Sequence, residues 1–196
     1  TAHMACKKQI PYVITLRGML YPEALKQSAV IKKLALSFFQ RRQLQEATCV
    51  QATCEEEMHY YREMGFTNPV AIIPNPVEIN KSNTFDENEF EISAAGRLVE
   101  QKNYSLLIKA VSLVRGKYPE VRCYIYGDGA LKQELQQQIF QLGLENNVFL
   151  PGNKKDVNKW VSKSSIFVMS SNYEGLSNAL IEAMMQGKAC ISTDYP

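Results

Sequence analysis

The sequence contains no run of about twenty apolar residues, the length a membrane-spanning helix requires, and no leader-like stretch opens it. A helical membrane span is therefore not expected. An excess of charge of one sign is also missing: 22 Lys and Arg face 20 Asp and Glu, leaving a net charge of +2. A dedicated nucleic-acid binder carries a basic surplus across a whole domain, so that class is set aside. The five cysteines, Cys6, Cys49, Cys54, Cys123 and Cys190, form no CxxC pair and have no histidine at metal-ligand spacing. Their number is odd, which argues against a disulfide framework and for reduced thiols in a cytosolic protein. Neither internal repeats nor low-complexity tracts interrupt the chain.

What is present is a globular composition, 45% hydrophobic and 10% aromatic over 196 residues, enough for a sizeable core and between one domain and two. The small net charge hides an asymmetry. Residues 1–48 hold eight Lys or Arg against two Glu, so the front end is basic and the remainder net acidic. The front end is placed to meet something anionic. Thr1-Ala2-His3-Met4 reads as a cloning remnant.

Short apolar runs rich in β-branched residues alternate with longer helical patterns, the rhythm of βαβ units around a parallel sheet. Strands are expected at 12–16, 48–53, 70–73, 91–95, 121–126, 148–150, 166–169 and 189–192. After the fourth, Leu106, Leu107, Ala110, Val111 and Val114 recur at helical spacing. The stretch 74–88 has two prolines, a polar cluster and no periodic apolar face, so it reads as a linker region. Residues 5–80 are expected to form one domain, 81–89 the linker, and 90–196 a second domain.

Three segments at strand ends carry chemistry. The first runs from Tyr173 to Ala183, after an expected strand and into a helix, with Glu174 and Glu182 eight positions apart. At about 100° per residue its apolar side chains cover most of the helix circumference, so the helix is expected to be buried. Glu182 falls on the narrow polar stripe with Asn178 and Gln186 and needs partners, which the hydroxyls of a ligand or a structural Arg or Lys would supply. Glu174 stands near the carboxyl end of a strand, where open parallel sheets bind ligands; the bland alternative is a solvated loop carboxylate. The backbone amides of Gly175, Leu176 and Ser177 open the same helix and point toward an anion.

The second segment is Ala94 to Asn103, in which Arg97 and Lys102 flank a tight turn at Gly96. An Arg fork and a Lys point charge at a strand's end can straddle a diphosphate, or they belong to a solvated basic loop. The third is Tyr126-Gly127-Asp128-Gly129-Ala130, half of a dinucleotide fingerprint. Lys132 stands where the full pattern requires a third glycine or alanine, so a dehydrogenase is disfavoured and a plain strand-to-helix turn stays open.

In this order, Pro74-Asn75, Gly96-Arg97 with Lys102, Gly127-Asp128-Gly129, Pro151-Gly152 with Val157, and Glu174-Gly175 with Glu182 resemble family 4 of the retaining glycosyltransferases. The resemblance implies an α/β GT-B fold, two Rossmann-like domains with parallel sheets facing each other across a cleft. It implies transfer of a sugar from a nucleotide-sugar, with retention of configuration, as in bacterial surface polysaccharide, lipopolysaccharide or O-antigen assembly. By the same resemblance, Arg97 and Lys102 bind the donor diphosphate and stabilise it as a leaving group, and Glu174 lies at the donor sugar hydroxyls. Glu182 takes the ribose hydroxyls. Gly96, Gly127, Asp128, Gly129 and the loop from Gly152 through Asn153 to Val157 line the nucleotide, and Gly175, Leu176 and Ser177 hold sugar and phosphate. No metal or other cofactor is implied, and no protein nucleophile.

The front end resembles the second half of the acceptor domain, with Arg17-Gly18 where many relatives carry His-Gly. Arg17 then replaces a donor or acceptor contact, with Gly18 and Asn75 beside it, or anchors a loop. The pattern from Glu23 to Leu44 sets apolar residues among Lys26, Lys32, Lys33, Arg41 and Arg42. It fits an anionic membrane surface carrying a lipid-diphosphate-linked acceptor, or an ordinary amphipathic core helix. Family habit favours a UDP-sugar, either UDP-hexose or UDP-HexNAc. A GDP-mannose enzyme, a GT-B epimerase and a nucleotide-binding module without transferase activity are the alternatives. The resemblance further implies that this chain lacks both ends of such an enzyme and does not turn over alone.

Overall fold

The computed structural model describes residues 2–22, 40–77 and 91–194. The chain divides into two compact units, Thr1–Pro76 and Val77–Pro196. The expected linker at 81–89 and most of the expected helix at 23–44 lie outside the described residues; the described helix α2 runs Arg41–Glu46.

The first unit opens with helix α1, Ala2–Lys7, which takes in Ala2 to Met4. Strands β1 (Val13–Thr15), β2 (Cys49–Ala52) and β3 (Val70–Ile72) form a parallel sheet in that order, with Val50 beside Ile14 and Val70. Each strand is shorter than its apolar run. Helix α3, Glu55–Glu63, joins β2 to β3 and packs Tyr61 into a core with Leu16, Leu20, Leu44, Val50 and Phe66.

The second unit is a five-stranded parallel sheet built from β4 (Glu91–Ala95), β5 (Arg122–Tyr126), β6 (Val148–Gly152), β7 (Ile166–Met169) and β8 (Ala189–Ser192), in the order β6-β5-β4-β7-β8. Helices α4 (Tyr104–Arg115), α5 (Lys132–Gln141), α6 (Val157–Val161) and α7 (Asn178–Met185) make the connections. Two-residue periodicity sends alternate side chains of β5 to opposite faces. Cys123 and Ile125 enter one core with Leu107, Ile108 and Val111 of α4 and Leu135 and Ile139 of α5; Tyr126 enters a second with Val161, Phe167, Met169 and Ala183. A sheet covered on both faces explains why its strands read as continuous apolar runs rather than alternating ones.

Two expectations about helices need correction. The buried face of α4 is Tyr104, Leu107, Ile108 and Val111, whereas Leu106, Ala110 and Val114 are exposed. Both sets have helical spacing; the one with the aromatic ring meets the sheet. Helix α7 is not buried all round: Ala183 is buried, Ala179 and Leu180 are partly covered, and Met184 is 60% exposed. Helix α7 packs one flank on the sheet, so hydrophobicity around the circumference overstated its burial.

Candidate functional site

The strand order reverses between β4 and β7, because the chain steps outward from β4 to β5 and β6 and then returns to the other side. At such a switch point the two outgoing loops diverge and leave a crevice at the carboxyl ends of the strands. The loop after β4 carries Gly96, Arg97 and Lys102; the loop after β7 carries Glu174. Two of the segments singled out in the sequence therefore meet here, although more than seventy positions separate them.

The meeting is held by a set of hydrogen bonds. Lys102 Nζ donates to Glu174 Oε1 at 2.5 Å, and Ser171 Oγ donates to the same oxygen at 2.7 Å. Gln101 Nε2 donates to the Tyr173 carbonyl at 3.1 Å. Ser170 Oγ donates to the Lys102 carbonyl at 2.8 Å, and the Asn172 amide N–H to the Gln101 carbonyl at 2.8 Å. The Asn172 side chain donates to the Glu100 carbonyl and accepts from Asn103 Nδ2. Asn103 itself sits at φ +45°, and its side chain accepts the Leu106 N–H to cap α4. The side chains of Lys102 and Glu174 are only 17% and 10% exposed. A pair so withdrawn from water holds its geometry, and removal of one partner strands the other charge at a cost of about 3–5 kcal/mol. Tyr104, under this loop, has its phenol pushed upward by burial first and by the Glu174 charge second.

Gly96 must be glycine here. It lies at φ +156°, and a Cβ would stand 2.8 Å from the Tyr104 hydroxyl and 3.0 Å from Lys102 Cε. The third segment joins the same cluster through its backbone: Gly96 N–H donates to the Tyr126 carbonyl and Leu98 N–H to the Asp128 carbonyl, both at 2.9 Å. The Asp128 side chain is exposed; the Gly129 N–H, then Lys132, hold its carboxyl below the usual range. Asn153 is exposed just past β6, which runs through Gly152 where a loop was expected.

Arg97 is exposed and Glu182 half-buried, and neither has an ion pair or side-chain hydrogen bond among the described residues. Gly175 and Leu176 are half-buried; Ser177 is buried at the N-cap of α7, and its side chain makes no capping bond. Among the described residues no group of three or more His, Cys, Asp or Glu is placed to hold a metal ion. Arg17, Gly18 and Asn75 belong to the first unit. Arg17 is exposed at φ +48°, and Gly18 N–H donates to Glu57 Oε1 of α3.

Several residues that build this arrangement carry no sequence signal of their own. Ser170, Ser171 and Asn172 stand between β7 and Glu174, and Gln101 next to Lys102. A polar run pressed against a strand end and a carboxylate was the available hint.

Residues 77–196 match the family described as Glycosyl transferases group 1, and residues 1–76 match the Glycosyl transferase 4-like domain. An uncharacterized glycosyltransferase of Methanocaldococcus jannaschii is 40% identical over 140 residues, covering 65% of this chain and 34% of the relative. The N-acetylgalactosamine-N,N'-diacetylbacillosaminyl-diphospho-undecaprenol 4-alpha-N-acetylgalactosaminyltransferase of Campylobacter jejuni is 36% identical over 104 residues, covering 53% and 28%. A crystallised variant of Staphylococcus aureus TarM, in complex with fondaparinux, alpha-GlcNAc-glycerol and UDP, aligns with a TM-score of 0.72 at 27% identity, over 78% of this chain and 31% of that one. The matches thus span about a third or less of the length of these relatives. The two α/β units with parallel sheets are of the GT-B type, as the resemblance implied.

Proposed function

The chain belongs to the group 1 glycosyl transferases, and from that premise we propose that the complete protein transfers a sugar from a UDP-sugar to a lipid-diphosphate-linked saccharide with retention of configuration. The observation that carries this reading is the Lys102–Glu174 pair at the β4/β7 switch point. Lys102 puts a cation, and Glu174 a carboxylate, where an open parallel sheet holds its ligand. Arg97, on the same loop and without a partner among the described residues, supplies a second cation for the diphosphate. Negative charge grows on that diphosphate as the glycosidic bond breaks, so two positioned cations stabilise the transition state more than the ground state. They fill the role a metal ion would otherwise take. Glu182 accepts hydrogen bonds from the ribose, Glu174 from the transferred sugar, and the amides at Gly175, Leu176 and Ser177 face sugar and phosphate. The leaving phosphate takes the acceptor proton, so no side-chain nucleophile is needed.

UDP is favoured by the UDP bound to TarM, and a lipid diphosphate by the Campylobacter enzyme's own acceptor. We place the reaction at the cytoplasmic membrane face, with the basic 23–44 segment toward anionic lipid.

Calorimetric titration with UDP, GDP and ADP in the presence of a chelator tests the donor site. UDP is expected to bind selectively. Glu182→Ala and Arg97→Ala should each weaken it about tenfold or more, the scale of a lost charge-assisted hydrogen bond. These two positions are preferred to Lys102 because neither leaves a buried charge unpaired. Selective binding of GDP would move the donor to a GDP-sugar. A folded chain, and a longer version containing it, that both ignore every nucleotide would sink the proposal.

A further inference from the structure

The two oxygens of Glu174 are held very differently. Oε1 accepts both Lys102 Nζ at 2.5 Å and Ser171 Oγ at 2.7 Å, which occupies the lone pairs it can offer. Oε2 has Gln101 Nε2 at 3.5 Å, the outer limit of a hydrogen bond. The same Gln101 NH2 group donates at 3.1 Å to the carbonyl of Tyr173, the residue before Glu174, so its shorter bond is to that backbone and its longer one to the carboxylate. Glu174 is 9% exposed. A carboxylate oxygen with one long hydrogen bond, on a residue this buried, keeps the capacity to accept a further donor.

We infer that Ser171 and Gln101 are positioning residues for donor-sugar recognition: they fix Glu174 so that Oε1 stays tied to Lys102 and Oε2 is left to accept a hydroxyl of the transferred sugar. Ser171 acts on the carboxylate directly. Gln101 fixes the Tyr173–Glu174 backbone from the opposite loop. Lys102 carries three N–H donors, so the bond to Glu174 leaves two for the diphosphate, and one cation joins the sugar and phosphate ends of the site. This rests on Glu174 being the sugar contact and Lys102 a diphosphate contact.

The test compares UDP with a panel of UDP-glucose, UDP-galactose and their N-acetyl forms, by calorimetry on the unaltered chain and on Ser171→Ala, Ser171→Thr and Gln101→Leu. The unaltered chain should bind one UDP-sugar more tightly than UDP. Ser171→Ala and Gln101→Leu should each keep the UDP affinity within about twofold and lose about tenfold for that UDP-sugar, since the nucleotide does not use Oε2. Ser171→Thr, which keeps the hydroxyl, should restore it. Equal weakening of UDP and UDP-sugar in both variants would mean that the clasp only holds the fold, and an unchanged UDP-sugar affinity would mean that Oε2 is not the acceptor; either overturns the inference. The same holds if the unaltered chain binds UDP yet gains nothing from any sugar. An unaltered chain that fails to bind UDP itself points instead to failure of the donor-site reading, from which this one follows.

Discussion

At Gly127 one methyl group decides whether two loops can pass each other. The residue is buried at φ +145°, and a Cβ there would run into the Gly96 carbonyl oxygen; at Gly129 it would run into the Leu98 carbonyl. Both glycines therefore have a packing reason to be glycine that is independent of any base lying against them. Gly127→Ala should destabilise the second unit by more than about 3 kcal/mol, because backbone is the obstacle and cannot swing aside. Gly187→Ala, at φ +71° with open space around it, should cost only about 1–2 kcal/mol from strain. Urea unfolding followed by the fluorescence of Trp160, the chain's single tryptophan, checks both. A similar cost at both positions would refute the contact argument. The sequence marked these glycines as a turn next to a strand. It could not say that the neighbour would be another glycine loop thirty residues earlier.

At the scale of elements, what matters is how one segment constrains another. Helix α3 buries Glu57 completely, and its carboxylate accepts Gly18 N–H on one oxygen and Thr53 N–H at 2.7 Å on the other, with the Thr53 hydroxyl at 2.9 Å. One side chain thus ties the turn after β1, where Arg17 takes a left-handed conformation, to the turn after β2. Glu57→Gln keeps the shape but turns an NH2 group toward one of these N–H donors. It should lower stability by about 1–3 kcal/mol, the penalty of an unsatisfied buried donor. Denaturation of the chain followed by far-UV circular dichroism measures this, and a neutral substitution would mean the amides find other acceptors. The element pattern itself was legible: β-branched runs located the strands of the described residues, and helical spacing located α4 and α7. The face of α4 and the burial of α7 were not, since several stripes on a helix satisfy the same periodicity and contact with the sheet selects among them.

For the whole molecule, the test of a well-packed second unit is its least accessible thiol. Cys123 is fully buried between α4, α5 and the sheet, and burial pushes its pKa up to about 12. At pH 8 the folded state keeps the sulfur out of reach and disfavours its thiolate, whereas unfolding removes the burial that causes the shift and restores an ordinary reactive thiol. Iodoacetamide treatment and peptide mapping should find Cys123 unmodified in native protein and modified in urea; native labelling at the rate of the four half-buried cysteines would show a looser core. By itself the sequence determined the fold class, the family, the alternation of strands and helices, and the identity of the charged residues at strand ends, because periodicity and turn chemistry are local and motif order is linear. The tertiary structure alone decided that Lys102 and Glu174 meet, that Gln101 reaches the Tyr173 carbonyl, and that the two oxygens of Glu174 are held unequally, Oε1 by two short bonds and Oε2 by one long one. The contacts of Gln101 and Lys102 with the Tyr173–Glu174 segment span 72 positions and depend on strand order, which brings β4 beside β7 and which local sequence rules leave undetermined.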